Sequence, residues 1–104
     1  MRRRIEAELQ ELDAASTATA GARRPVELDQ QSVGRLSRMD AIQNQAMAAG
    51  TETRRRARVA ALVAAARRLD DGTYGLCEDC GDPIEEGRLD LDPAAARCVD
   101  CVRG

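Results

Sequence analysis

Four cysteines constrain this chain more than any other feature. Cys77, Cys80, Cys98 and Cys101 are arranged C-x2-C-x17-C-x2-C, a paired spacing that suits a four-thiolate metal site. Two residues between thiolates let both sulfurs reach one ion from a single tight turn. Two such turns complete a tetrahedron with Zn–S distances of about 2.3 Å. Gly81 directly follows Cys80, where a metal-binding knuckle often needs positive φ. Asp92-Pro93 supplies a cap and a proline for the first position of a helical turn, which is expected to present Cys98 and Cys101 on one side. Disulfides would need an oxidising compartment, and a thioredoxin-like redox pair needs one C-x2-C in a βαβ setting. An iron–sulfur cluster is chemically open to four thiolates, but this spacing is that of a structural zinc unit. Four protein ligands leave no position for water, so one structural Zn2+ is expected and metal-centred catalysis is not. The large aliphatics of residues 72–104 are only Leu76, Ile84, Leu89, Leu91, Val99 and Val102. Metal binding must therefore supply most of that segment's folding energy, and its removal is expected to unfold 72–104 while leaving much of the helix before it.

The remaining residues lack the bulk for a globular core. Among 104 residues there are 19 alanines, 18 Leu, Ile and Val together, one tyrosine (Tyr74), and no Phe or Trp. Alanine buries little area at about 25 cal/mol per Å², whereas alanine and arginine are good helix formers. Long, thin, paired helices are the economical solution. An aromatic-stacking RNA platform and a large β-sandwich are excluded, as is chemistry dependent on histidine, which the chain lacks. Charge divides the sequence as the cysteines do. Residues 1–69 carry 13 arginines against 8 acids, and residues 70–104 carry 3 against 10. A sign change near residue 70 implies two units, 1–71 and 72–104, of which the acidic one is poorly suited to nucleic-acid phosphates. No run of 18 apolar residues would span a membrane. Met1-Arg2-Arg3-Arg4 is followed by Glu6, Glu8 and Glu11, where a signal peptide would place its apolar region. A cytoplasmic chain without membrane association is expected.

Ile5, Leu9 and Leu12 fall at spacings of four and three, as on one face of an amphipathic helix. The pattern lapses over 14–22, and Arg23-Arg24-Pro25-Val26 disfavours helix before the proline, so the turn is placed near 17–27. A second helix is predicted from about Leu28-Asp29, with Val33, Leu36, Met39, Ile42, Ala46 and Met47 on one face. Val59, Leu62, Val63, Ala66 and Leu69 repeat the pattern further on. The apolar phase slips across Gly50, which with Thr51 can form a C-cap and N-cap, so a kink or short break is expected there. Asp70-Asp71-Gly72 closes the helical region.

With these features in place the resemblance is specific. Tyr74-Gly75-x-Cys77-x-x-Cys80-Gly81-x-x-Ile84-x-x-x-Arg88-Leu89, then Pro93, then Cys98-x-x-Cys101, resembles the zinc-finger signature of the DksA/TraR family. That resemblance implies a mainly α fold: an antiparallel, coiled-coil-like helical hairpin followed by a small four-cysteine finger. It further implies binding to bacterial RNA polymerase, with the hairpin entering the secondary channel and an acidic tip approaching the active centre. Well-known members carry D-x-x-D-x-A at that tip; here the nearest counterpart is Pro25-Val26-Glu27-Leu28-Asp29, and Asp40-Ala41 is a second. Glu27, Asp29 and Asp40 are accordingly the tip candidates.

The sequence is therefore read as a non-enzymatic, monomeric transcription regulator acting through RNA polymerase. Two rivals stand beside it. One is a nucleic-acid-binding protein using Arg23, Arg24 and the run Arg54, Arg55, Arg56 and Arg58; the same run also suits an acidic polymerase surface, or simply a solvated helix face. The other is a cytoplasmic adaptor whose finger binds a different protein.

Overall fold

The structure is a computed structural model and describes residues 1–23 and 35–103. Two helices dominate it: α1, Arg2–Ala18, and α2, Arg35–Asp71. A short 3-10 turn, Ala20–Arg23, follows α1. The finger contributes α3, Glu86–Leu91, and α4, Val99–Arg103. Among the described residues no strand forms, only an isolated antiparallel bridge between Leu76 and Pro83.

The two long helices run antiparallel. Arg2 at the start of α1 pairs with Asp70 at the end of α2 at 2.7 Å, and Ser16 near the end of α1 bonds Glu52, seventeen residues into α2. Between these ends lies a thin apolar seam. Ile5, Leu62 and Ala65 are fully buried, flanked by Leu9, Leu12, Ala61, Ala66 and Leu69. This is the 4–3 spacing of α1 meeting the last three turns of α2, and alanines between the leucines let the helices approach closely. Residues 35–51 of α2, about 25 Å of helix, run on from the Ser16–Glu52 level, and the Ala20–Arg23 turn also packs on α2. There Met39 and Ile42 are half-exposed and Met47 is 71% exposed, so the apolar face expected around them is not part of the α1–α2 seam.

The break expected at Gly50 does not occur, and α2 is continuous across it. A glycine costs about 1 kcal/mol inside a helix, which thirty-six other helical residues absorb. Thr51 does not act as an N-cap; its hydroxyl accepts from Arg54 at 3.1 Å. The phase slip has a different cause, since the helix faces α1 only after it. At its other end α2 stops where the sequence indicates. Gly72 takes φ +79°, and the N–H groups of Thr73 and Tyr74 both return to the Arg68 carbonyl at 2.9 and 3.1 Å, satisfying one of the terminal acceptors a helix leaves open.

The finger rests on the base of this helical pair. Pro93 is fully buried and Ala94 belongs to the Ile5–Leu62–Ala65 cluster, which Tyr74 also borders. The Tyr74 hydroxyl donates to the Pro93 carbonyl at 2.8 Å. Burial raises the Tyr74 pKa, with Arg4 and Arg68 opposing. Arg58 joins three segments at once: its Nε and Nη2 donate to both Glu8 carboxylate oxygens at 3.0 Å, and its Nη1 reaches Asp92 at 2.7 Å. Residues 92–94, between the two cysteine pairs and nearer the second, thus form a strap onto the hairpin.

Candidate metal centre

The first cysteine pair is built by a tight reversal. The Cys77 N–H donates to the Asp82 carbonyl at 2.8 Å, and the Gly81 N–H returns to the Cys77 carbonyl at 2.9 Å. Gly81 makes the turn at φ +80°, the conformation expected of it. The second pair is positioned differently from the sequence reading. Asp92 does cap, accepting from the Ala94 N–H at 3.0 Å, and the Ala95 N–H reaches the Asp92 carbonyl at 3.1 Å. That turn does not continue to the cysteines, however. The chain extends through Ala96, whose carbonyl accepts from the Glu78 N–H at 2.8 Å, and a separate helix, α4, begins after Cys98 and carries Cys101. Pro93 is fully buried and Ala94 joins the hairpin cluster at the place where that turn ends.

The four sulfurs converge, all lying within 4.8 Å of one another. Cys77 and Cys98 are buried, Cys101 is half-buried and Cys80 is exposed, with Ile84 and Leu89 packed around them. A tetrahedron of sulfurs about 2.3 Å from zinc has edges of about 3.8 Å, and the Cys80 and Cys98 sulfurs stand 3.7 Å apart. The electrostatics agree with that fit. Backbone N–H groups of Cys80 and Cys98 draw the Cys77 thiol down to about 6 against its burial. Cys101 is pushed far up by the neighbouring Cys98, Cys77 and Cys80 groups. One sulfur is prepared as a thiolate while another resists becoming one beside it, a conflict that a dication relieves. The donors number four, all soft and all protein-derived, so the centre holds one structural Zn2+.

The prokaryotic dksA/traR C4-type zinc-finger pattern matches residues 72–103. Residues 72–103 thus form a finger of the DksA/TraR C4 type. It is 40% identical over 50 residues to the RNA polymerase-binding transcription factor DksA of Caulobacter vibrioides, covering 48% of this chain and 35% of that protein. It is 42% identical over 38 residues to an uncharacterized protein of Aquifex aeolicus, covering 36% of this chain and 26% of that one. The matches thus span about a third or less of these curated relatives. In three dimensions it is similar to transcription factor DksA2 from Pseudomonas aeruginosa, with TM-score 0.79 and 24% identity over 98% of this chain and 77% of that one. That likeness is one of fold, and it takes in the hairpin as well as the finger.

The other sequence-predicted residues fare unequally. Glu27, Asp29 and Arg24 lie outside the described residues. Asp40 is exposed on α2. The arginine run does not form one patch. Arg54 is exposed and Arg56 is 79% exposed, whereas Arg55 is bonded to Glu52 at 2.8 Å and Arg58 is bonded to Glu8 and Asp92. Arg23, a candidate phosphate contact, also turns inward to Glu52 at 3.1 Å. Sequence reasoning passed over Glu52 and Ser16. A signal was present for Ser16 alone, because extending Ile5, Leu9, Leu12 by the same alternation lands on Ser16 and then Thr19.

Proposed function

We propose that this chain is a non-enzymatic cytoplasmic regulator of transcription that binds bacterial RNA polymerase as a monomer. Its hairpin would enter the secondary channel, and its finger would act as the structural base. The observation that carries this reading is the pairing of a DksA/TraR finger with an antiparallel hairpin whose second helix runs on some 25 Å from the Ser16–Glu52 level. A long helix on a compact base suits insertion into a deep cleft. The Caulobacter relative is by name an RNA polymerase-binding factor, which supports polymerase as the partner. In this reading Glu27, Asp29 and Asp40 supply the acidic charge carried inward, where carboxylates perturb magnesium ions or the basic residues around them.

Direct binding to nucleic acid is less well supported, since Arg23, Arg55 and Arg58 are engaged in ion pairs within the chain. Co-precipitation with purified RNA polymerase, with and without duplex DNA and across a salt series, tests the proposal. Retention without DNA and with shallow salt dependence is expected. Retention only with DNA, falling steeply with salt, would identify the nucleic-acid reading instead. Asp29→Asn then separates binding from effect: polymerase binding persists while the influence on transcription is lost.

A further inference from the structure

The α1–α2 seam changes character along its length. From the base it is apolar, with Ile5, Leu9 and Leu12 facing Leu69, Ala65 and Leu62. Continued toward the far end, the same alternation places Ser16 on α1 and Thr19 just past its end opposite Arg55 and Glu52 on α2. No apolar layer replaces them. Glu52 is 7% exposed, and it is the buried charged residue of the hairpin among the described residues. Its two carboxylate oxygens accept from the Ser16 hydroxyl at 2.9 and 3.0 Å, from Arg55 at 2.8 Å and from Arg23 at 3.1 Å. Arg23 in turn donates to the Ser16 carbonyl and the Thr19 hydroxyl, both at 3.0 Å, so it closes the carbonyl end of α1. Arg55 also reaches the Thr19 hydroxyl at 3.3 Å. Nearly every polar group in this layer is satisfied by another member of it.

We infer that Glu52, held by Ser16, Arg23 and Arg55, is a positioning residue that sets the register of α1 against α2. An alanine-rich seam specifies register weakly, because sliding one helix by a turn exchanges small apolar contacts for similar ones. A buried carboxylate that takes the Ser16 and Arg23 donors from across the seam does not tolerate that exchange, since a slip removes both and leaves only the arginines of its own helix. The layer plays the part of a polar residue in a coiled-coil core, which fixes alignment at a cost in stability. Its place at the end of α1 gives it a second consequence. The same bonds fix where the chain leaves the hairpin toward residue 24, and hence the base from which the connection to α2 starts. This holds whichever partner the hairpin meets.

The test replaces the layer by an apolar one. In Ser16→Leu/Glu52→Leu, Arg23 and Arg55 are free to turn to solvent. The expected result is a melting temperature equal to or above that of the parent, together with doubled or broadened amide signals over 5–18 and 52–69. The single set of Ile5–Leu62 methyl contacts expected in the NMR spectrum of the parent is then lost. A melting temperature that is kept alongside one parental set of contacts would overturn the inference. Glu52→Gln provides a second arm that keeps shape and acceptor. Hydrogen exchange at Thr17–Ala22 should quicken roughly tenfold or more while Leu62–Leu69 stay as protected as in the parent. Unchanged exchange at 17–22 would equally overturn the inference.

Discussion

At the scale of single residues, the hairpin depends on a few groups whose burial or pairing is easily disturbed. Leu62 is fully buried at the centre of the seam. Leu62→Ala is expected to cost about 2–5 kcal/mol, enough to unfold a marginal domain, as measured by urea denaturation. Arg58→Met removes the bonds to Glu8 and Asp92 but keeps the aliphatic stem; with the guanidinium about a third exposed, a loss of about 1–2 kcal/mol is expected. Glu52 gives the clearest pH signature. Burial raises its pKa, but the hydrogen bonds from Ser16 and Arg55 and the charges of Arg23 and Arg55 outweigh that and hold it below its ordinary 4.5. A carboxylate with a depressed folded pKa contributes stability that is full above the unfolded value and is lost as pH falls through the folded one. Comparison with Glu52→Gln cancels any effect of acid on the cysteines. The gap in urea midpoint between parent and variant should be full at pH 7 and shrink progressively below about 4.5. A gap that stays constant to pH 3 would show that the charge of Glu52 does not contribute.

At the scale of elements, the parts legible in the sequence were those governed by local spacing. Ile5, Leu9 and Leu12 are four and three residues apart because a helix needs them so, and the paired cysteines are two apart because one ion needs them so. Gly50 was misleading for the opposite reason. Its helix penalty is local, whereas the decision to continue belongs to the hydrogen-bonded residues on both sides. Removing that penalty gives a direct check. A Cβ at Gly50 would meet only the end of the Arg54 side chain, at 3.8 Å. Gly50→Ala is therefore expected to stabilise α2 by about 0.5–1 kcal/mol, read as a higher melting temperature. A destabilised variant would instead point to a role for flexibility at this position. Glu52 was illegible for a third reason. A charged residue is by default placed on the surface, and only its match to Ser16, thirty-six positions away, reveals the layer. The strap at Asp92–Ala94 was hidden in the same way, since no local pattern says that a capping turn inside a finger will close the core of a distant hairpin.

At the scale of the whole molecule, the division suggested by charge at residue 70 is bridged by packing. Zinc fixes the finger with a contribution of about 10–16 kcal/mol in comparable peptides, and the ordered finger presents Pro93 and Ala94 to the hairpin base. Pro93 is fully buried, Ala94 completes the cluster around Ile5 and Leu62, and Asp92 holds Arg58 beside Glu8. Losing the strap re-exposes apolar area worth about 2 kcal/mol at 25 cal/mol per Å² and frees one partner of Arg58. Metal removal is therefore expected to weaken the helices as well as unfold residues 72–104, rather than leave the hairpin untouched. In chelator-treated protein the helical circular-dichroism signal should melt roughly 10 °C lower than in the zinc-loaded chain. Arg58→Met should narrow that difference, because it cuts one of the links through which the finger acts. A helical transition at the same temperature with and without zinc would mean that the strap contributes nothing and that the two units fold independently.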